Sequence, residues 1–424
     1  MKLNIWGSEI CGLVAGACFA RFGNDVKLVV NDPKKGLDAF SRLSLNTEPG
    51  LSKLLEQQVD SGRITLCQSD DALQESVHLL AYRPNEKAEA EHTIKQLAKT
   101  HSGALLLISQ SNFGIGTTDQ LATLLNEHAN QVISYVPESL PQGSGLTAFR
   151  SPQNLIFGSE NKWALDILNV LFRPFIQASR GSVTVMTARE AEFTKFAITG
   201  MLALRLSYIN ELANLADNMH TDIDVIRNAM AADPRISSDY LKPGCGFGGL
   251  SFPQYLSGLA ETLSQERNSA LLARVLEQNE TQKEVPFRKL WRHYNGELNG
   301  KTISIWGVSF KPDTSSMDNA PSIPIIQALL AQNARIRIHD PEALDTCMSI
   351  FGDGNGLITY VPDQYEAIED SDGLLLLTEW NQYWAPDFDA MREKMATALV
   401  VDGRNVFDRP MLKSLGFAYY GVGR

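Results

Sequence analysis

Little in this 424-residue chain points to a membrane, a nucleic acid or a metal. No apolar run reaches the ~18 residues that a membrane-spanning helix needs. Lys and Arg total 38 against 49 Asp and Glu, a formal net charge of −11. That balance argues against a general nucleic-acid surface and leaves room only for a local basic pocket for phosphate. The five cysteines (Cys11, Cys18, Cys67, Cys245, Cys347) are odd in number and scattered. They form no Cys-x-x-Cys or Cys/His metal cluster and no disulfide framework, which reads as a reducing cytoplasm. A secretory leader is not expected either, because Trp6-Gly7-Ser8-Glu9 interrupts any apolar core region near the start. What is present is 44% hydrophobic and 21% charged residues, the balance of a globular protein with substantial cores. The length calls for two or three domains.

Lys2 to Trp6 reads as a short strand, Leu13 to Phe22 as an apolar helix and Val26 to Val30 as a second strand, a βαβ opening. Strand-like runs follow at 77–81, 104–109, 131–136 and 154–158, with helical segments such as 88–99 and 118–127 between them. This alternation predicts a doubly wound parallel sheet. From Ala188 to Met219 apolar residues recur at helical spacing, with no proline and with Gly200 alone as glycine, which predicts one helix about 45 Å long. Residues 259–284 read as helical again. At Gly300 the opening returns: Lys301-Thr-Ile-Ser-Ile-Trp306-Gly307 echoes Lys2-Leu-Asn-Ile-Trp6-Gly7. The expected fold is therefore α/β. Two Rossmann-like doubly wound parallel-sheet domains, 1–185 and 299–424, flank a central helical segment, 186–298.

Two glycine-rich places carry candidate chemistry. After the first strand, a dinucleotide fingerprint needs Gly-x-Gly-x-x-Gly, and an acid at the end of the next strand for the ribose hydroxyls. Gly7 and Gly12 are in place, but the middle position is Glu9, whose bulk and charge oppose a pyrophosphate, and the acid position is Val30. Asn31 and Asp32 follow in a shifted register, and Lys34-Lys35 would suit a 2′-phosphate or simply a solvated turn. The second place is Tyr240-Leu-Lys-Pro-Gly244-Cys-Gly246-Phe247-Gly248-Gly249-Leu-Ser251-Phe-Pro-Gln254. Four glycines within six residues bring a backbone close to something or adopt φ > 0.

That loop resembles the active-site segment of the UDP-glucose/GDP-mannose dehydrogenase family, roughly Gly-x-Gly-Phe-Gly-Gly-Ser-Cys-Phe-Pro-Lys-Asp. Other matches follow in order: Val136-Pro137-Glu138-Ser139-Leu140, Glu190 to Lys195, Phe310-Lys311-Pro312-Asp313-Thr314 and Asp402-Gly403-Arg404-Asn405. The resemblance covers essentially the whole chain. It implies a dimer built on the central helix, and two NAD-dependent oxidations of a nucleotide sugar at C6 through a cysteine thioester. It also implies a place in polysaccharide assembly. By this resemblance Glu138 and Lys195 keep family catalytic positions. The nucleophilic Cys falls on Ser251, the Lys on Gln254, the Asp on Tyr255, an Asn on Thr199 and a Thr on Asn112. On the cofactor side the family's Val-x-Thr-Pro is Ala81-Tyr82-Arg83-Pro84, and a phosphate-binding Arg is Asp318. Substrate-side positions persist: Arg235 (the Arg that crosses the dimer), Tyr240, Lys242, Gly246, Phe247, Gly248, Gly249, Phe310, Lys311 and Arg404. A thiolate attacks well and leaves well, whereas a serine needs a base.

Two functions stay open on these grounds. One is a degenerate homologue that keeps a UDP- or GDP-sugar pocket, with Gly7 and Gly12 the remnant of an NAD (or NADP) site. The other is an active NAD(P)-dependent oxidoreductase with altered chemistry, using Glu138 and Lys195 as its acid–base pair. Phe310 and the loop glycines could equally serve the fold alone.

Overall fold

The computed structural model describes residues 1–7, 10–35, 48–126, 130–138, 140–141 and 143–424. Two compact units divide the chain, Met1–Ile198 and Thr199–Arg424. The first holds eight strands: β1 (Lys2–Trp6), β2 (Asp25–Val29), β3 (Ile64–Cys67), β4 (Val77–Leu80), β5 (Leu105–Ser109), β6 (Gln131–Tyr135), β7 (Asn154–Gly158) and β8 (Ser182–Met186). Their order is β3-β2-β1-β4-β5-β6-β7-β8. The pairings are parallel except between β6 and β7, where Tyr135 lies opposite Gly158. The first six strands thus follow the doubly wound order in which ligands bind beyond the carboxyl ends of the strands.

The central strands are near-continuous apolar runs because helices cover both faces. All five residues of β5 are buried. One face is sealed by helix Ile10–Arg21, whose Phe19 meets Phe149, Phe172 and Phe175 edge-on at 5.4, 5.3 and 5.7 Å between ring centres. Such edge-to-face pairs add to the area they bury. Under β1, Trp6 Nε1 donates to His78 Nδ1 at 2.9 Å, and His78 Nε2 lies 2.7 Å from the Glu75 carbonyl. This fixes a neutral tautomer, and burial pulls the His78 pKa down to about 4.

The second unit contains most of the helix Ala188–Met219, which has the bounds its periodicity predicts. Residues 259–284, expected as one helical run, belong to two helices, Ser251–Arg267 and Leu271–Lys283. The break falls at Asn268, which takes a left-handed conformation (φ 52) that closes the first helix. Strands β9 (Thr302–Trp306), β10 (Arg335–His339), β11 (Ile358–Tyr360), β12 (Gly373–Leu376), β13 (Leu399–Asp402) and β14 (Ala418–Tyr420) form a sheet in the order β11-β10-β9-β12-β13-β14. Its pairings are all parallel. Among the described residues no helix is long and apolar enough to cross a membrane.

Candidate functional site

In the first unit, the tip of β1 is shaped by close approach. Gly7 has φ +93, and a Cβ there would sit 2.1 Å from the Ala81 carbonyl oxygen. Side-chain Cβ atoms do not approach so closely, so the chain leaving β4 requires glycine here whether or not a ligand binds. A Cβ at Gly12 would likewise lie 2.6 Å from Ala81 Cβ. Glu9, expected to oppose a pyrophosphate, lies outside the described residues. Val30 is half-buried, its N–H bonded to the Cys67 carbonyl at 2.9 Å. Asp32 accepts from Lys34 N at 3.2 Å, which makes it the cap of its own turn. Tyr82 turns its hydroxyl to Thr93 Oγ1 at 2.7 Å, and its N–H donates to Ser111 Oγ at 2.9 Å.

Glu138 and Lys195 do come together. Lys195 Nζ donates to Glu138 Oε1 at 3.1 Å and to the Glu138 carbonyl, and both side chains are largely buried, at 14% and 13% exposure. Asn112 joins them through Nδ2 to Glu138 Oε1 at 3.3 Å and accepts from the Tyr135 hydroxyl. The second carboxylate oxygen of Glu138 accepts from Leu140 N at 3.0 Å. A charged pair this enclosed persists only when its remaining lone pairs and protons are satisfied. The start of the long helix also supplies Glu192, a group that motif comparison alone left without a role. Its carboxylate accepts from Gly116 N (2.6 Å), Thr118 N (2.8 Å) and Thr118 Oγ1 (2.6 Å), capping helix Thr117–Ala122. Burial raises its pKa against the pull of those donors. Sequence carries no signal for this role, because its partner lies more than seventy residues earlier in the chain.

In the second unit the glycine-rich loop is held at almost every peptide. Gly244 N donates to Asn210 Oδ1 (2.9 Å), Cys245 N to the Gly403 carbonyl (2.8 Å), Phe247 N to Asn279 Oδ1 (2.8 Å) and Gly249 N to the Asp318 carbonyl (2.7 Å). Its carbonyls are held as well. Gln282 Nε2 reaches the Gly244 oxygen (2.7 Å), Asn279 Nδ2 that of Phe247 (2.9 Å) and Asn319 Nδ2 that of Gly249 (2.9 Å). Four of the loop's N–H groups therefore already have protein acceptors. Glycine is demanded by proximity: a Cβ at Gly248 would lie 2.7 Å from the Asn319 carbonyl, and one at Gly249 (φ +87) 3.0 Å from the Phe310 ring. A Cβ at Gly246 (φ +86) would lie 2.9 Å from Asn279 Oδ1. The amides Asn210, Asn279 and Gln282 lie inside helices and carry no motif of their own, so sequence reasoning passed over them.

Arg404 is the hub of this assembly. Its Nε donates to the Leu377 carbonyl at 2.7 Å and pairs with Glu379 Oε2 at 3.1 Å. Its terminal nitrogens reach the carbonyls of Gly246 (3.4 Å) and Phe310 (3.3 Å). Phe310 and Arg404 are thus brought to the loop. Lys311 carries its ammonium 5.8 Å from the Phe310 ring centre. Arg235 stays in its own turn, exposed and gripped by Asp233 through contacts of 3.0 and 2.6 Å. Ser251 opens helix Ser251–Arg267 and is exposed. Within its unit no described imidazole or carboxylate hydrogen-bonds its hydroxyl. Cys245 does not replace the missing thiol: it is fully buried against the Leu377 carbonyl, and burial pushes its pKa up. Asp318, at the family's Arg position, is exposed and hydrogen-bonded to Ser316 Oγ at 2.7 Å.

Comparison with known proteins gives one answer along the chain. Family profiles for UDP-glucose/GDP-mannose dehydrogenases match in three parts: the NAD binding domain over residues 1–176, the central domain over 189–281 and the UDP binding domain over 304–409. The UDP-glucose 6-dehydrogenase of Pseudomonas aeruginosa is 33% identical over 449 residues, covering 100% of this chain and 98% of that protein. That of Rhizobium meliloti is 29% identical, with 100% of each covered. Among solved structures, a UDP-glucose dehydrogenase from Pyrobaculum islandicum superposes with a TM-score of 0.85 at 24% identity, covering 100% of this chain and 97% of that one. At that identity the likeness speaks for the fold.

Proposed function

Because this chain belongs to the UDP-glucose/GDP-mannose dehydrogenase family, we propose that it binds a nucleotide sugar and no longer performs the cysteine-dependent four-electron oxidation. The observation that carries this reading is the contrast within the loop and its helix. The segment Gly244–Gly249 is locked in place against Phe310 and Arg404, while the next helix opens on an exposed Ser251 whose hydroxyl has no hydrogen-bonded imidazole or carboxylate in its unit. A neutral alcohol is a poor nucleophile without a base, and Gln254 brings no positive charge for an oxyanion.

The residues at the β1 and β2 tips fit NAD poorly. Gly7 and Gly12 are accounted for by packing on Ala81, Val30 offers no carboxylate to a ribose, and the Asp32 carboxylate is bonded within its turn. Residues Met201, Tyr208 and Leu215, seven apart on the long helix, are each more than half exposed. That stripe supports a homodimer through the helix. Light scattering behind size exclusion should give twice the chain mass of 46.8 kDa.

A second reading, an oxidoreductase of altered outcome, draws on the intact Lys195–Glu138 pair. A thermal-shift panel separates the two, since a ligand of the folded state stabilises by RT ln(1 + [L]/Kd). A response to UDP-glucose or GDP-mannose without one to NAD or NADP is expected. The reverse pattern contradicts the binding reading.

A further inference from the structure

The edge of the loop assembly carries an exposed indole that none of the site residues accounts for. Trp384 is 55% exposed, an unusual position for the largest apolar side chain. It is nevertheless held: its Nε1 donates to the Glu379 carbonyl at 3.0 Å and its backbone N–H to the Asn381 carbonyl at 3.2 Å. Lys242 places its ammonium 5.7 Å from the indole centre, a cation–π distance. These contacts close a ring. Glu379 pairs with Arg404, Arg404 packs against Gly244, and Gly244 lies two residues beyond Lys242. The chain entering this loop is bent on purpose. Ser237 (φ 66) and Tyr240 (φ 55) both take left-handed conformations that side-chain-bearing residues seldom adopt, and Tyr240 is 46% exposed. Arg205 holds the bend through the carbonyls of Ser237 (3.0 Å) and Asp239 (2.9 Å). Strain of this kind persists where surrounding contacts impose it, and here it shapes the chain that carries Lys242 to the Trp384 ring.

We infer that Trp384, with Lys242 against its ring, is a stacking platform for the planar base of the nucleotide, and so a determinant of base affinity separate from the phosphate contacts. The inference rests on the nucleotide-sugar reading above. An orientation-locked indole suits a base because stacking asks for a flat face and no hydrogen-bond match. The Lys242 ammonium brings positive charge to the same lip, where the phosphates of a base-bearing ligand would follow.

The test compares wild type with Trp384→Ala and Trp384→Phe, using calorimetric titration with UDP, uridine and inorganic pyrophosphate, and melting curves without ligand. Trp384→Ala should weaken UDP and uridine binding about tenfold and change pyrophosphate binding less than twofold. Trp384→Phe, which keeps a flat ring and the fold, should retain most of the affinity. UDP should also quench the tryptophan fluorescence of wild type more than that of Trp384→Phe. Unchanged UDP binding in both variants, or an equal loss for pyrophosphate, overturns the platform while leaving the nucleotide-sugar reading in place. Wild-type protein that binds none of the three ligands overturns both.

Discussion

The two sheets share a strand order and almost share an opening sequence, but the tips of their second strands are finished differently. Trp6 and Trp306 end β1 and β9, each is buried, and each gives its indole N–H to a partner below the sheet, His78 Nδ1 and the Gln364 carbonyl. Gly7 and Gly307 follow, with φ +93 and +85, each pressed on the chain leaving the neighbouring strand. Beyond β10, however, stands Asp340, almost fully buried. Its Oδ2 accepts from Val308 N (2.7 Å), Ser309 N (3.1 Å) and Trp380 Nε1 (3.2 Å), and its Oδ1 from Glu342 N and Ala343 N, both at 2.9 Å. Beyond β2 the corresponding place is Val30, and nothing in the described residues stitches the β1 tip in that way. An acid at a strand tip is therefore no evidence of a ribose: in the second sheet it serves the protein's own backbone. In the first sheet the glycine turn packs on Ala81, with no such acid beside it among the described residues.

Substitutions can break this comparison. Asp340→Ala should be the most damaging, since it strands several buried donors at about 1–3 kcal/mol each. A loss of about 3–5 kcal/mol is expected in urea denaturation. Gly7→Ala and Gly307→Ala should each cost roughly 2–4 kcal/mol through backbone collision and φ strain, in similar amounts, because both turns are set by packing. A ligand-dependent role for Gly7 alone would appear as a much smaller cost there than at Gly307.

The pH dependence should belong to His78, the partner of the first sheet's tryptophan. His78 is neutral in the folded state with its pKa lowered to about 4 by burial, so the unfolded chain takes up the proton first. Stability contributed by neutral His78 should be complete above about pH 6.5 and be lost as pH falls toward 4, by up to about 3 kcal/mol. Urea midpoints between pH 7 and pH 5 check this, and His78→Gln should flatten the slope. The smallest effect is a gain. Replacing both Glu9→Gly and Val30→Asp should raise NAD affinity about tenfold, which a thermal-shift titration reads.

The architecture was legible where local pattern decides it. The 32-residue central helix and strand β7 come out at their predicted ends, because uninterrupted periodicity and flanking turns leave no alternative. The helix break at Asn268 was not legible, since one asparagine in a polar helix face carries no warning until its left-handed conformation is seen. At the site, the motif residues Glu138 and Lys195 meet, and Phe310 and Arg404 reach the loop. What sequence withheld was the set of long-range partners. Asn210, Asn279 and Gln282 take up the loop's peptide groups, and Glu192 caps a helix seventy residues away. A hydrogen bond between residues far apart in the chain leaves no spacing to read.

The central claim is binding without oxidation, and turnover tests it most directly. Purified protein incubated with UDP-glucose and NAD should produce no reduced nicotinamide absorbance above background, under conditions where calorimetry detects UDP-glucose bound. Steady formation of reduced nicotinamide at rates on the order of 1–10³ s⁻¹, the range of ordinary enzymes, would contradict the account.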